Sequence, residues 1–190
     1  SKLYGVELDD ISGRIAGALY PNASIQIKGF EDTGFADDSF DLVVGNVPFG
    51  DYKVYDPKYN KYNLLIHDYF IAKSIDKVRK GGMLALITSN GISGGTMDKR
   101  ETKIRRHIAE RCDLVGAIRL PDTAFRAAGT DMTTDILFLQ KREVPRILGD
   151  DAPDWINASV LQESEHTNSD GEKRRNIVTV NPYFQEQPEM

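Results

Sequence analysis

Four short stretches carry side chains that could do chemistry, and each follows an apolar run. Glu7 closes 3–7, Phe30-Glu31-Asp32 follows 24–28, Asn46-Val47-Pro48-Phe49 follows 40–44, and Ser89-Asn90 follows 83–88. A carboxylate can accept from ribose hydroxyls or from an amino group. An amide adds a neutral carbonyl, and an aromatic ring adds a stacking face. In an open α/β sheet, ligands bind beyond the carboxyl ends of the strands, so residues at these positions converge on one rim. Asn, Pro and Gly also end strands for local backbone reasons, and a plain turn would explain the stretch 45–50, GNVPFG, taken alone.

The elements that must position these residues are legible. Runs 3–7, 24–28, 40–44, 83–88, 114–120 and 135–140 read as strands, and MLALIT at 83–88 is apolar throughout, as for a strand covered on both faces. Helical spacing marks 11–19, stopped by Pro21, and 63–80, where Gly81-Gly82 supplies a stop. A further helix is expected over 98–111. Alternating strands and helices predict an α/β domain with a mostly parallel sheet. Residues 121–134 show no clear helix, so the strands they join could pair antiparallel at one edge. There is no internal repeat. Beyond Lys141 the pattern weakens: 162–176 is polar and turn-rich and is expected to be mobile, and 177–181 reads as a late strand. The expected organisation is a core over 1–141 and a polar extension over 142–190 leading to a downstream domain.

The 190 residues suffice for one domain with a real core. One cysteine, Cys112, allows no internal disulfide and fits a reducing, cytoplasmic setting. No run is long and apolar enough for a membrane span, and no membrane partner is expected. A net charge of −5 suits a stand-alone nucleic-acid binder poorly, because phosphate neutralisation supplies most non-specific affinity. Charge is uneven, with six Lys/Arg against two Glu in 99–111, which reads first as a solvated helix face. The stretch 51–62, DYKVYDPKYNKY, interleaves four tyrosines with three lysines. Stacking plus positive charge suits unpaired nucleic acid, and an exposed connector is the simpler alternative.

Taken in order, these segments resemble the amino-methylating DNA methyltransferases that use S-adenosylmethionine. The family's tetrapeptide, Asp/Asn/Ser-Pro-Pro-Tyr/Phe, stands here as Asn46-Val47-Pro48-Phe49. FDLVVGNVPFGDY, KGGMLALITSNG and AIRLPDTAFRAAGTDMTTDILFLQKR look like the type I-like adenine-N6 methylase modules of phage and mobile elements, some fused to Swi/Snf-type helicases. The resemblance covers roughly 3–141, and VNPYFQEQPEM at the end also looks like that group. It implies a Rossmann-like methyltransferase sheet and DNA as partner, with the target adenine flipped out. Adenine N6 is a weak nucleophile because its lone pair is delocalised. The Asn46 side-chain carbonyl and the Val47 main-chain carbonyl are the two candidates to hold its hydrogens, with transfer driven by orientation and preorganised dipoles. No metal is required. Phe49 would stack on the flipped base, and Phe125 is a candidate for its second face. Tyr52, Lys53 and Asn90 are further candidates for base or DNA contact. Glu7 would hold the cofactor ribose, Glu31 or Asp32 its adenine amino group, and Phe30 its ring. Val47 departs from the family's proline. It keeps the carbonyl but loses the fixed φ, so a softer loop is expected.

The family's aromatic-x-Gly-x-Gly loop should precede Leu3 and is not in the chain. The expected sheet therefore lacks its first strand, which in this architecture lies between the strands at 3–7 and 40–44. GISGG at 91–95 is a poor substitute: the next strand ends Ile118-Arg119-Leu120, without the acid such a loop expects. Residues 91–97 are instead expected to form a flexible connection. Upstream and downstream segments of a parent protein are the implied partners. The tetrapeptide alone does not separate DNA adenine from cytosine N4, RNA or a protein glutamine, nor exclude a non-catalytic structural fragment.

Overall fold

In a computed structural model of the chain, residues 2–90, 95–129, 132–167 and 173–190 are described. Strand β1 (Tyr4–Glu7) pairs in parallel with β2 (Ser24–Ile27), and helix α1 (Asp10–Leu19) joins them. Asp9 caps α1 by accepting from the Ser12 amide at 2.7 Å. Gly13 lets the helix lie close on β2, since a Cβ there would stand 2.7 Å from Ile27 Cγ1.

The larger sheet has the order β3-β4-β6-β5, from β3 (Phe40–Asn46), β4 (Val78–Ser89), β5 (Cys112–Leu120) and β6 (Thr134–Lys141). β3 and β4 are parallel, and β6 is antiparallel to both of its neighbours. Thus β3, β4 and β5 run one way and β6 alone is reversed, inserted between β4 and β5. Helices α2 (Ile66–Lys77) and α4 (Lys103–Arg111) bury Ile71, Ile75, Ile104 and Ile108 against Leu84, Leu86, Leu137 and Leu139. Each such side chain contributes about 1.5–3 kcal/mol when fully buried.

Three expectations are corrected. The second helix ends at Lys77, not at the glycines, and Val78 is already extended. Gly81 and Gly82 lie inside β4, where the register jumps from Phe40↔Val78 to Leu42↔Met83. The bulge needs them: Gly81 has φ +69°, and a Cβ on Gly82 would sit 2.8 Å from the Asp41 carbonyl. The helix expected over 98–111 is two, α3 (Gly95–Asp98) and α4. The basic stretch is only partly a solvated face, because Arg105 is 0% exposed. Its guanidinium donates to the carbonyls of Thr96 (2.8 Å) and Lys99 (2.6 Å), which the helix break leaves free, and to that of Ile156 (2.6 Å) from a turn distant in the chain. Burial lowers its pKa to about 10, which keeps it charged at neutral pH.

Past Lys141 come a 3-10 turn (Asp154–Ile156), the antiparallel hairpin β7 (Ser159–Thr167) and β8 (Lys173–Val180), and α5 (Pro182–Glu186). The stretch expected to be mobile thus contributes strand residues on both sides of 168–172, which lie outside the described residues. Asn181, 0% exposed, ties this region to the core. Its side chain donates to the carbonyls of Met97 (2.9 Å) and Trp155 (2.8 Å), and its amide donates to Asp98 Oδ1 (2.8 Å). The Ala117 amide on the outer edge of β5 donates to the Tyr183 hydroxyl at 3.0 Å. Among the described residues, no helix is long and apolar enough to cross a membrane, and no cluster of three or more His, Cys, Asp or Glu could hold a metal ion.

His107 lies against Tyr62, ring centroids 5.8 Å apart, with a buried Nε2 that has no hydrogen-bond partner. Burial, aided by Arg111, pushes its pKa down to about 4 from an ordinary 6.5. Between those values the unfolded chain binds the proton and the folded chain does not, so stability falls as pH drops through the window. We expect the urea midpoint of the wild-type chain to fall between pH 7 and pH 5, and His107→Phe to fall less. Equal drops in the two proteins would refute this assignment.

Candidate active site

The free edges of β1 and β3 face each other across a cavity of about 740 Å³. Tyr4 and Phe40 meet edge-to-face at 5.4 Å where the two strands begin, and Phe35 packs on both, at 6.0 and 5.0 Å. Beyond this staple the strands do not pair. β1 bonds only to β2 and β3 only to β4 among the described residues. Leu42 and Val44 of β3 are left exposed. Among the described residues a gap separates β1 from β3, and the two strands do not close up against each other.

The rim residues distribute unevenly around this cavity. Glu7 lines it, with Oε1 accepting from the Asp9 amide at 2.9 Å. Phe30 and Glu31 also line it, whereas Asp32 is exposed outside the lining. Phe30 is half-buried on Tyr69 and Phe70, and the Lys73 ammonium lies 5.0 Å from its ring. Glu31 folds over Gly29, where any Cβ would come within 2.3 Å of its carboxylate.

Asn46 ends β3 and pairs in register with Ile87. Among the described residues its side-chain amide has no partner, so both its donor and its acceptor capacity are unspent. Val47 is 3% exposed and donates its N–H to the Ile87 carbonyl at 3.1 Å. A proline could not make that bond. The ladder therefore runs one residue further here, and the softness expected from the missing ring is offset. Asn46, Val47 and Pro48 line the cavity, while Phe49, 38% exposed, stands just outside it.

The stretch 51–62 divides in two. Tyr52 lines the cavity, and its carbonyl accepts from the Ile66 amide at the start of α2. Asp56 and Tyr59 are buried. The Tyr59 hydroxyl donates to Asp76 at 2.7 Å, and Asp56 accepts from Lys73 (2.9 Å) and the Tyr69 hydroxyl (2.8 Å). Burial works to raise the Asp56 pKa, but the bonds from Lys73 and Tyr69 outweigh it and hold the carboxyl below its usual range. Tyr52 and Tyr55 on the outer arm, and Lys58, Asn60 and Lys61 on the turn, keep the character of an exposed connector.

Asn90 does not line the cavity. Its Nδ2 donates to Asp98 Oδ2 at 2.6 Å. Asp98 also pairs with Arg119 at 3.0 Å, and Arg119 grips the buried Asp135 with two bonds of 2.8 and 3.0 Å. Sequence reasoning missed this group. Its signal was one charge of opposite sign in each of two apolar strands, and the register does place Arg119 opposite Asp135. Phe125, half-buried in a 3-10 segment (Asp122–Ala128), is also away from the lining. Of GISGG only Gly95 is described. It opens α3, whose Thr96 and Met97 are buried, so the flexible connection expected over 91–97 is packed helix at 95–97.

The family model described as N-6 DNA methylase matches residues 3–190. The chain is 35% identical, over 140 residues, to Defense against restriction protein B of Escherichia phage P1, a match taking in 71% of this chain and 6% of that protein. Its fold is similar to that of the M protein of the EcoKI type I restriction enzyme, with a TM-score of 0.57 at 20% identity over 73% of this chain and 31% of that one. A chain from a type I restriction-modification system gives a TM-score of 0.55 at 18% identity, over 75% and 31%. The chain thus spans under a third of the length of either structure and a small fraction of the phage protein.

The Val47 bond yields a test. Val47→Pro removes a used N–H and a buried side chain, and proline destabilises where the N–H was hydrogen-bonded. We expect a loss of about 1 kcal/mol or more in urea unfolding. An unchanged or raised midpoint would show that the ladder bond to Ile87 is not stabilising.

Proposed function

The chain belongs to the N-6 DNA methylase family, and from that premise we propose that it carries the acceptor-base side of a site that methylates adenine N6 in DNA, as part of a longer modification protein. The observation that carries the reading is Asn46, an unspent amide at the end of β3 and at the mouth of the cavity.

Bound S-adenosylmethionine supplies an electrophilic methyl group on a sulfonium. The chain's own residues make N6 able to attack it. The Asn46 side-chain carbonyl accepts one N6 hydrogen, and the Val47 main-chain carbonyl, which has no partner among the described residues, accepts the other. Holding both hydrogens favours a pyramidal nitrogen with its lone pair aimed into the cavity. The acceptors are fixed before reaction, which is where such dipoles are most effective. Exposed Phe49 offers a stacking face for a base turned out of the duplex, worth about 1–3 kcal/mol against an unstacking cost of a few kcal/mol.

The cofactor side is only partly supplied. Glu7 suits the ribose hydroxyls, and Phe30 with Glu31 suits the adenine ring and its amino group. Of the two acids, Glu31 is the one at the cavity. For the methionine part the chain offers two bare strand edges. We propose that a parallel strand from an upstream segment of the parent protein enters between β1 and β3 and brings a glycine-rich turn to the rim. The exposed ridge Ile11, Ile15 and Leu19 on α1 suits a helix following that strand. Two strand edges facing water leave backbone groups that such a strand would satisfy.

Two measurements test the reading. In a methylating parent protein, Asn46→Ala should lower kcat about 100-fold or more with cofactor affinity nearly unchanged, because the lost interaction is made with the reacting amine. Turnover above about a tenth of wild type would remove Asn46 from the mechanism. By calorimetry, residues 1–190 should bind little or no S-adenosylmethionine, and the chain extended upstream should bind it. Micromolar binding by 1–190 would show that the site is built without the inserted strand.

A further inference from the structure

A second cavity, of about 340 Å³, lies beside the first, and Val54 lines both. Its volume is at the lower end of the range for small-molecule sites, about 300–1,000 Å³. Tyr59 and Tyr69 contribute rings whose hydroxyls are already committed to Asp76 and Asp56. What they offer this cavity is aromatic surface. Tyr55, also in the lining, is 79% exposed and has no ring or hydrogen-bond contact among the described residues.

The polar lining is made of donors. Asn60 Oδ1 is occupied by the Asp56 amide at 3.1 Å, and Asn63 Oδ1 by the Lys53 ammonium at 2.6 Å. Among the described residues, neither amide's NH₂ group has an acceptor. Lys53 adds a positive charge, while the nearby Asp56 carboxylate is neutralised by Lys73. The wall is rigid where it must be. Asp56 caps the turn that follows it by accepting from the Lys58 amide, and Asn63 closes that turn in the left-handed region, φ +53°. A ligand matched to this lining is flat, rich in acceptors and attached to an anion.

We propose that this cavity receives the nucleotide next to the target adenine on the same DNA strand. Its base stacks on Tyr55 and accepts from the Asn60 and Asn63 amides, and its phosphate meets Lys53. The proposal rests on the DNA-methylating reading of the first cavity, because Val54 is the shared wall that places the two nucleotides side by side. It gives the outer arm of 51–62 a role distinct from that of its buried root.

The test uses the 190-residue chain itself, isotope-labelled for NMR and titrated with a single-stranded DNA trinucleotide at low salt. The side-chain amide signals of Asn60 and Asn63 should shift and saturate. Tyr55→Ala, at an exposed position that leaves the fold intact, should weaken binding about tenfold, as expected for one stacked base. Lys53→Met should lower the salt dependence by about one phosphate contact. Shifts elsewhere with both amides unmoved, or a Tyr55→Ala affinity within about twofold of wild type, would overturn the inference and leave the DNA reading standing. No shift anywhere at millimolar trinucleotide would also overturn the inference, while the DNA reading stands or falls on Asn46→Ala in the parent protein.

Discussion

The Asp98 carboxylate is the joint that ties the ends of β4 and β5 to the C-terminal region, and the packing of the larger sheet depends on it. It is buried, and it gathers the Asn90 side chain from the end of β4, the Arg119 guanidinium from the end of β5 and the Asn181 amide from the C-terminal region. A buried anion is tolerable only when donors surround it, and breaking such a group typically costs about 3–5 kcal/mol. Because its donors come from three separate segments, satisfying one carboxylate fixes three pieces of chain at once. The hairpin and α5 are thereby part of the core's electrostatics. Arg105 does the same work with the opposite sign, holding α3, α4 and the turn at 154–156 through carbonyls alone.

Against that closed half stands an open one. The β1–β2 pair meets the rest through the aromatic staple of Tyr4, Phe35 and Phe40 and through Phe30 on the α2 rings. Between staple and rim, the two strand edges and the exposed apolar residues of α1 and β3 lack partners among the described residues. The same sheet that finishes Asn46 and Val47 to hydrogen-bond accuracy on one side leaves the space beside them lined by unpaired backbone. The ladder to β4 orders Asn46 and Val47 on one side of β3, while the other edge of β3 and the facing edge of β1 border the cavity unpaired among the described residues.

The loop after the tetrapeptide shows how an exposed arm is carried on a buried base. Lys73, Asp56 and Tyr69 share their hydrogen bonds in a low-dielectric site, where each satisfied partner strengthens the others, and Tyr59 packs on the Tyr69 ring with its hydroxyl on Asp76. Cation–π contact of Lys73 with Phe30 links this base to the cavity wall. Position at the rim is therefore set from beneath, by α2, more than by the loop's own composition.

Much was legible in the sequence by itself. The strand runs and the tetrapeptide after 40–44 determined the α/β class, the order of the strands through β6 and the place of Asn46 and Phe49 after β3, because period-two and period-3.6 burial patterns and turn residues act locally; the split between α3 and α4, strand β7 and α5 were not legible. Glu7 and Glu31 were legible for the same reason, as acids at strand ends. The sequence could not say which of Glu31 and Asp32 lines the cavity, nor assign each tyrosine of 51–62 to core or surface, because the buried Tyr59 is placed by Asp76, brought in from α2. It misread Gly81-Gly82 as a helix stop, since only the bulge opposite Asp41 reveals what the glycines are for. It took Arg105 for a solvated charge, since the carbonyls that justify its burial come from residues 96, 99 and 156. Tertiary structure decided these points because a buried polar group is placed by partners distant in the chain, and no local pattern records them.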